Sequence, residues 1–174
     1  MSKLTGFLFA MGALVFPLTG LSQQVCQNES EVPSSTPTNR FTNHSDGTVT
    51  DGATGLMWSR CAAGLSGADC GAGSALSLTW QGALDHAAGS GLAGYTDWRV
   101  PTISELNSIV EQRCTVPAIN SAVFPTTPAS DFWSASPSAD YSYSAWIVSF
   151  YDGYSDGYGN RDYYDHVRLV RAGQ

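Results

Sequence analysis

Positive charge is scarce in this sequence. Eight of its 174 residues are Lys or Arg against 15 Asp or Glu, a formal net charge of −7. The single Lys is Lys3, and the other cations are Arg40, Arg60, Arg99, Arg113, Arg161, Arg168 and Arg171. They are scattered, apart from the neighbouring pair Arg168 and Arg171. A chain with no basic stripe is a poor partner for nucleic acid or anionic lipid. Long apolar runs are missing as well, with one N-terminal exception. Lys3, the apolar stretch Leu4 to Leu18, and the small residues Gly20 and Ser22 predict a secretory signal peptide over residues 1–22. That stretch is too short, and too broken by Gly6, Gly12 and Pro17, to span a bilayer. No membrane insertion is expected after cleavage, which would remove the only Lys and leave a net charge of −8.

Catalytic signatures are absent too. There is no G-x-S-x-G, and the four Cys read as oxidised rather than as free nucleophiles. Clustered zinc ligands are lacking: the Cys are widely spaced, and His44, His86 and His166 stand alone. Asp152, Asp156, Asn160 and Asp162 could offer oxygens to calcium, but without the EF-hand spacing, and solvated carboxylates are the plain alternative. A non-enzyme without a cofactor is the expectation.

The Cys that are present number four: Cys26, Cys61, Cys70 and Cys114. An even count in an exported chain implies disulfides, with three connectivities open. Proximity favours Cys61–Cys70, which leaves Cys26–Cys114.

Along the chain, residues 23–39 form a polar arm with Pro33 and Pro37, and residues 40–174 read as one domain. "TVT" and "LMWS" are strands joined by Asp-Gly and Thr-Gly turn chemistry. Trp80, Ala83, Leu84 and Ala87 sit at helical spacing, ended by Gly89 and Gly91. Thr102 and Glu105 form a capping box for a second helix, with Leu106, Ile109 and Val110 as its apolar face. "DFWSASP", "AWIVSF" and "HVRLVRAG" follow as strands. In "AWIVSF", Trp146, Val148 and Phe150 alternate to one face. All five Trp read as core. Strands, two helices and strands again make an α+β fold, two helices packed on short antiparallel strands and stapled by disulfides.

Between the last two strands lies "FYDGYSDGYGNRDYYDH", with five of the eight Tyr and no aliphatic residue. "SADYSYSAW" carries the same mixture just before the preceding strand. Tyr offers a rigid amphipathic contact at low entropic cost, and Ser, Gly, Asn and Asp add adaptable polar contacts, as in antibody paratopes. The candidate ligand-binding residues are therefore Asp140, Tyr141, Tyr143, Tyr151, Asp152, Tyr154, Asp156, Tyr158, Asn160, Arg161, Tyr163 and Tyr164. Tyr would anchor, Asp and Asn would select, and both segments would reach one end or face of a sheet. The expected partner is an extracellular glycan or protein, with a homo-oligomer also allowed and the chain periplasmic, at the cell surface or outside the cell. A structural subunit of a surface fibre or pilus-like assembly is the alternative.

"DWRVPTISEL", "PAINSAVFP", "FWSASP" and the terminal "VRLVR", taken in order, resemble the Lcl C-terminal domain family, named after a collagen-like adhesin of Legionella. The resemblance covers about Arg40 to Gln174. It implies a C-type lectin-like fold, export and, for that adhesin, binding of sulfated glycosaminoglycans as a trimer. This chain has no collagen-like repeat and is strongly acidic; only Arg161, Arg168 and Arg171 could form the cationic patch a polyanion needs. The domain also looks like the variable proteins of diversity-generating retroelements, which mutate adenines in Asn-type codons to give Tyr, Ser, Asp and His. The related sulfatase-modifying oxidases are enzymes on the same fold, but their chemistry needs free or exchangeable Cys.

Overall fold

The structure is a computed structural model that describes residues 23–173. The expected signal peptide lies outside the described residues. In chain order the strands and helices are β1 (Val25–Cys26), β2 (Phe41–Asn43), β3 (Thr48–Asp51), β4 (Leu56–Ser59), β5 (Leu65–Ser66), β6 (Ala72–Gly73), α1 (Trp80–Ala88), α2 (Ile103–Asn107), β7 (Cys114–Thr115), β8 (Asp131–Pro137), β9 (Ser144–Ser149), β10 (Ser155–Asn160) and β11 (Val170–Ala172). Every strand pair is antiparallel. A four-stranded sheet runs β11-β4-β3-β2, a three-stranded sheet runs β10-β9-β8, and β1-β7 and β5-β6 are small ribbons. Small antiparallel sheets with two short helices make the fold α+β.

The β3–β4 hairpin turns where Asp-Gly and Thr-Gly predict it. The Asp51 carboxylate accepts from Ala53 N (2.9 Å) and Thr54 Oγ1 (2.7 Å), closing the turn. The same buried carboxylate takes a two-pronged contact from Arg40, at 2.6 and 2.5 Å. α1 begins where Thr79 Oγ1 accepts from Gly82 N and ends at Gly89, burying Ala83 and Ala87. The Thr102–Glu105 capping box forms, and Glu105 also takes both Nη atoms of Arg99 at 2.7 Å.

α2 is shorter than its apolar pattern predicts. It stops at Asn107, because Ser108 Oγ donates to Glu105 O (2.6 Å) and Val110 leaves to bridge Ile119. Side-chain bonding to the backbone competes with helix continuation. Ile109 and Val110 are still buried, but outside the helix.

Both faces of the β8–β9 pair are covered. Phe132, Val148 and Phe150 join Val49, Trp58, Leu106, Ile119 and Phe124 in one cluster. Trp133 and Ala145 join Ala83, Trp98 and Val167 in a second, with Ile147 packed against it. Each such large apolar side chain contributes roughly 1.5–3 kcal/mol on burial. Phe132 and Phe150 meet edge to face at 5.0 Å.

Both disulfides pair as proximity favours. Cys61–Cys70 closes its Gly-rich loop, and Cys26–Cys114 ties β1 to β7. The polar arm does not hang free. Ser34 Oγ, Thr36 N and Thr36 Oγ1 donate to Glu111 Oε2 at 2.5, 3.0 and 2.8 Å, and Ser35 N donates to Oε1 at 3.1 Å. Burial alone would raise the Glu111 pKa; these hydrogen bonds outweigh it and hold the carboxyl down at about 2.

Candidate recognition surface

The β9–β10 hairpin that carries the Tyr-rich stretch is built by its glycines. Gly153 takes φ +85° at the turn, where Gly153 N donates to Ser149 O (2.7 Å) and Ser149 N to Tyr154 O (2.8 Å). Gly159 lies where a Cβ would sit 2.8 Å from Ile147 Cγ2 and 2.9 Å from both Trp133 Cζ3 and Ala145 O. Glycine at this position is a packing requirement: it lets the strand lie against the core.

A second device is written in the sequence as a repeat, Asp152-Gly-Tyr154 and Asp156-Gly-Tyr158. Asp152 Oδ1 accepts from Tyr154 N (3.1 Å) and Asp156 Oδ1 from Tyr158 N (2.9 Å). Asn160 Oδ1 accepts from Asp162 N (3.0 Å) in the same way. Each Asp holds the backbone of the Tyr two residues on with one oxygen and keeps the other for solvent or ligand. The i, i+2 spacing was visible in the sequence, but its role was not. These turns also use one side-chain oxygen each of Asp152, Asp156 and Asn160, and among the described residues no three His, Cys, Asp or Glu side chains converge.

Seven of the eight Tyr stand out of the surface. Tyr141, Tyr143, Tyr151, Tyr154, Tyr158, Tyr163 and Tyr164 are 36 to 70 % exposed. Trp146 joins them at 36 %, which overturns its assignment to the core. Both neighbours of β9 bulge opposite it: the register shifts between Trp133 and Pro137 on β8 and between Asp156 and Gly159 on β10. A bulge re-aims side chains, so the alternation that puts Val148 inside does not carry to Trp146. Its ring lies over Gly157, where a Cβ would be 3.1 Å from it.

The predicted residues do not form one patch. Asp140, Tyr141 and Tyr143 lie in the β8–β9 loop, at the same end of the sheet as Tyr158 and Asn160. Tyr141 packs on Tyr143 at 5.8 Å and on Tyr158 at 5.1 Å between ring centroids. Arg161 N donates to Tyr143 O and Arg161 Nε to Ser144 O, both at 3.0 Å, which fastens the loop to the strand end. Tyr163 and Tyr164 follow from that end. Tyr151, Asp152 and Tyr154 sit at the opposite end, in the β9–β10 turn, where Val116 N donates to Tyr151 O (2.8 Å). A six-residue strand separates the groups, about 20 Å of chain.

No cationic patch exists for Arg161, Arg168 and Arg171 to make. Arg168 is fully buried. Its guanidinium donates to Ser59 O (2.9 Å), to Arg60 O and to Thr127 Oγ1 (2.7 Å), and lies over the Phe124 ring. Burial pushes its pKa down to about 9, so it stays charged at neutral pH. The segment Val167 to Leu169, predicted as strand, runs inward beside β4 and only Val170–Ala172 pairs regularly. Arg171 is buried against Asp97 (2.7 Å) and lies 3.9 Å from the Tyr95 ring centroid. Arg161 lies 4.2 Å from the Trp80 ring centroid.

Two other features lie away from this surface. A cleft of about 560 Å³ runs between the β2–β3 turn, the Cys61–Cys70 loop and the end of α1, with His44, Asp46, Arg60 and His86 on its walls. His44 Nε2 is bonded to Thr50 Oγ1 (2.8 Å). Asp165, half-buried beside Asp131 and His166, has its pKa raised to about 6, chiefly by burial and then by the Asp131 charge. Sequence spacing could not reveal that pair, because Asp131 opens β8 and Asp165 lies in the segment between β10 and β11.

No curated protein matches the chain. Residues 47–171, which carry both larger sheets from β3 onward, α1, α2 and the Tyr-rich hairpin, match the family model of the Lcl C-terminal domain, and the chain belongs to that family.

Proposed function

We propose that this protein is an exported, non-catalytic recognition domain, with the C-type lectin-like arrangement its family resemblance implies. It works through the tyrosines around Tyr141, Tyr143 and Tyr158. One observation carries the reading: seven Tyr and a Trp stand on one sheet and its loops without serving the core. Exposed aromatics cost solubility and order, so a surface that concentrates them marks an interaction site. All four Cys are in disulfides, which speaks against thiol chemistry and fits an oxidising compartment. Among the described residues no helix is long and apolar enough to cross a membrane.

A glycan-array and cell-binding screen tests this. The parent is compared with Tyr141→Ser/Tyr143→Ser/Tyr158→Ser and with Tyr151→Ser/Tyr154→Ser, with melting curves for all three. The expected result is binding by the parent, lost in the first variant and kept in the second, at matched melting temperatures. Binding that survives the first variant, or is lost only together with folding, overturns the reading. Self-association of the parent that the first variant abolishes would favour the structural subunit instead.

A further inference from the structure

We propose that the Tyr141–Tyr143–Tyr158 end of the sheet docks a cationic protein surface, one that displays Arg and Lys side chains. This rests on the recognition reading above and adds the chemistry of the partner.

The first support is the distribution of charge. Every Arg is engaged within the chain. Arg40 holds Asp51, Arg99 holds Glu105, Arg113 reaches Glu29 and Glu111, and Arg171 holds Asp97. Arg60 donates to Val123 O and Ala68 O, Arg161 to Ser144 O, and Arg168 is buried. The cation at the Tyr-cluster end is Arg161, whose Nε donates to Ser144 O and whose guanidinium lies over the Trp80 ring. From Asp140 to Asp165 the chain carries five Asp and one Arg. The carboxylates of Asp140 and Asp162, both exposed, have no hydrogen-bond or ion-pair partner among the described residues.

The second support is the rings themselves. Tyr faces carry negative electrostatic potential and attract guanidinium and ammonium groups. The Tyr141 ring packs on Tyr158 and on Tyr143 at centroid spacings of 5.1 and 5.8 Å, which leaves no room for a cation within either pair. Their outer faces form a platform, which suits side chains arriving from a protein surface better than a small enclosed cation. Elsewhere the protein already completes this interaction: Arg161 sits over Trp80, Arg171 over Tyr95, Arg168 over Phe124 and Arg40 over Phe41. The exposed tyrosines lack an Arg of their own, and the carboxylates beside them carry the complementary charge.

The test measures binding of the mature chain to an immobilised Arg-rich synthetic peptide, to heparin and to neutral dextran, at about 0.15 M salt. The parent is expected to bind the peptide and neither polysaccharide. Tyr141→Ser/Tyr143→Ser/Tyr158→Ser is expected to weaken it at least about tenfold, the sum of three exposed ring–cation contacts. Asp140→Asn/Asp162→Asn should also weaken it. Glu31→Gln/Asp85→Asn changes net charge equally on other surfaces and should leave it unchanged. Equal losses in the two charge variants would reduce the effect to bulk attraction and overturn the inference, as would stronger binding to heparin or dextran. If the peptide fails but binding to a screened glycan still requires the tyrosines, the cationic partner is refuted and the recognition reading stands. If the Tyr variant changes nothing in any arm, both fall.

Discussion

The two larger sheets treat polar side chains in opposite ways. Around β11-β4-β3-β2 they are turned inward and consumed. Asp51 is wholly buried with Arg40 on it, Arg168 is buried against backbone carbonyls, and Arg171 is closed over by Tyr95 and Asp97. Around β10-β9-β8 the buried side chains are apolar apart from Ser134 and Ser144, and the tyrosines of the hairpins point out. The first arrangement encloses Arg40, Arg168 and Arg171; the second leaves carboxylates and rings displayed. The difference teaches that stability and display are kept in separate sets of side chains, so one can change without the other.

The largest effects should come from the inward-turned charges. Asp51→Ala leaves Arg40 half-buried without its partner and opens the β3–β4 turn. Removing one member of a buried pair costs about 3–5 kcal/mol, which chemical denaturation would read as a lower midpoint at unchanged slope. A loss below about 1 kcal/mol would mean that water replaces the contact and that this sheet is less closed than its burial indicates.

Next comes the strand under the display. Gly159→Ala places a methyl against Trp133, Ile147 and the Ala145 carbonyl, and overpacking of this kind costs about 1–3 kcal/mol. Gly157→Ala meets only the part-exposed Trp146 ring, which can move, and should cost less. Thermal denaturation of the pair checks the order; equal losses would show that the outer ring is held as firmly as the core.

Two carboxylates outside both sheets, Glu111 and Asp165, give opposite pH slopes. Glu111, held low at about 2 by the arm, is stabilising when ionised, so its contribution is present above about pH 4.5 and lost as pH falls toward 2. Asp165, raised to about 6, is stabilising only while protonated; its contribution is present below about pH 3.8 and lost as pH rises through 6. Asp165→Asn should therefore melt higher than the parent at pH 7 and show no such decline between pH 4 and 7, in melting curves taken across that range. A parent curve that is flat there would remove Asp165 from the account.

What was legible in the sequence was local. The α1 pattern with its Gly stop, the Thr102–Glu105 box, β8 and the two disulfide pairings each depend on residues within a few positions or on simple exclusion. What was missed depends on distant partners. Arg168 sits between Val167 and Leu169 in an alternation that should turn it outward, yet carbonyls on Ser59 and Arg60 and the ring of Phe124 draw it in. Trp146 obeys a strand period in sequence, but bulges on both neighbours break that period in space. Nine of the twelve predicted site residues are exposed and Asp156, Asn160 and Arg161 are half-buried, yet a hairpin sends its two ends in opposite directions, and composition cannot say which tyrosines share an end.

The smallest effect on stability is expected where the effect on binding should be largest. Tyr141 packs on Tyr143 and Tyr158, all three face solvent, and substitution of such surface residues moves stability by about 0.5 kcal/mol or less each. The hydrogen bonds that shape their hairpins come from backbone and from Asp152, Asp156, Asn160 and Arg161, so the Ser variants keep the scaffold intact. Matched unfolding curves for the parent and the triple variant check this. A drop of about 2 kcal/mol or more would mean that the rings brace the β8–β9 loop, and the separation of display from stability would fail at the place where it matters most. Coincident curves would show that this surface is free to vary in residue identity without cost to the fold, the property a recognition face needs if its partner changes.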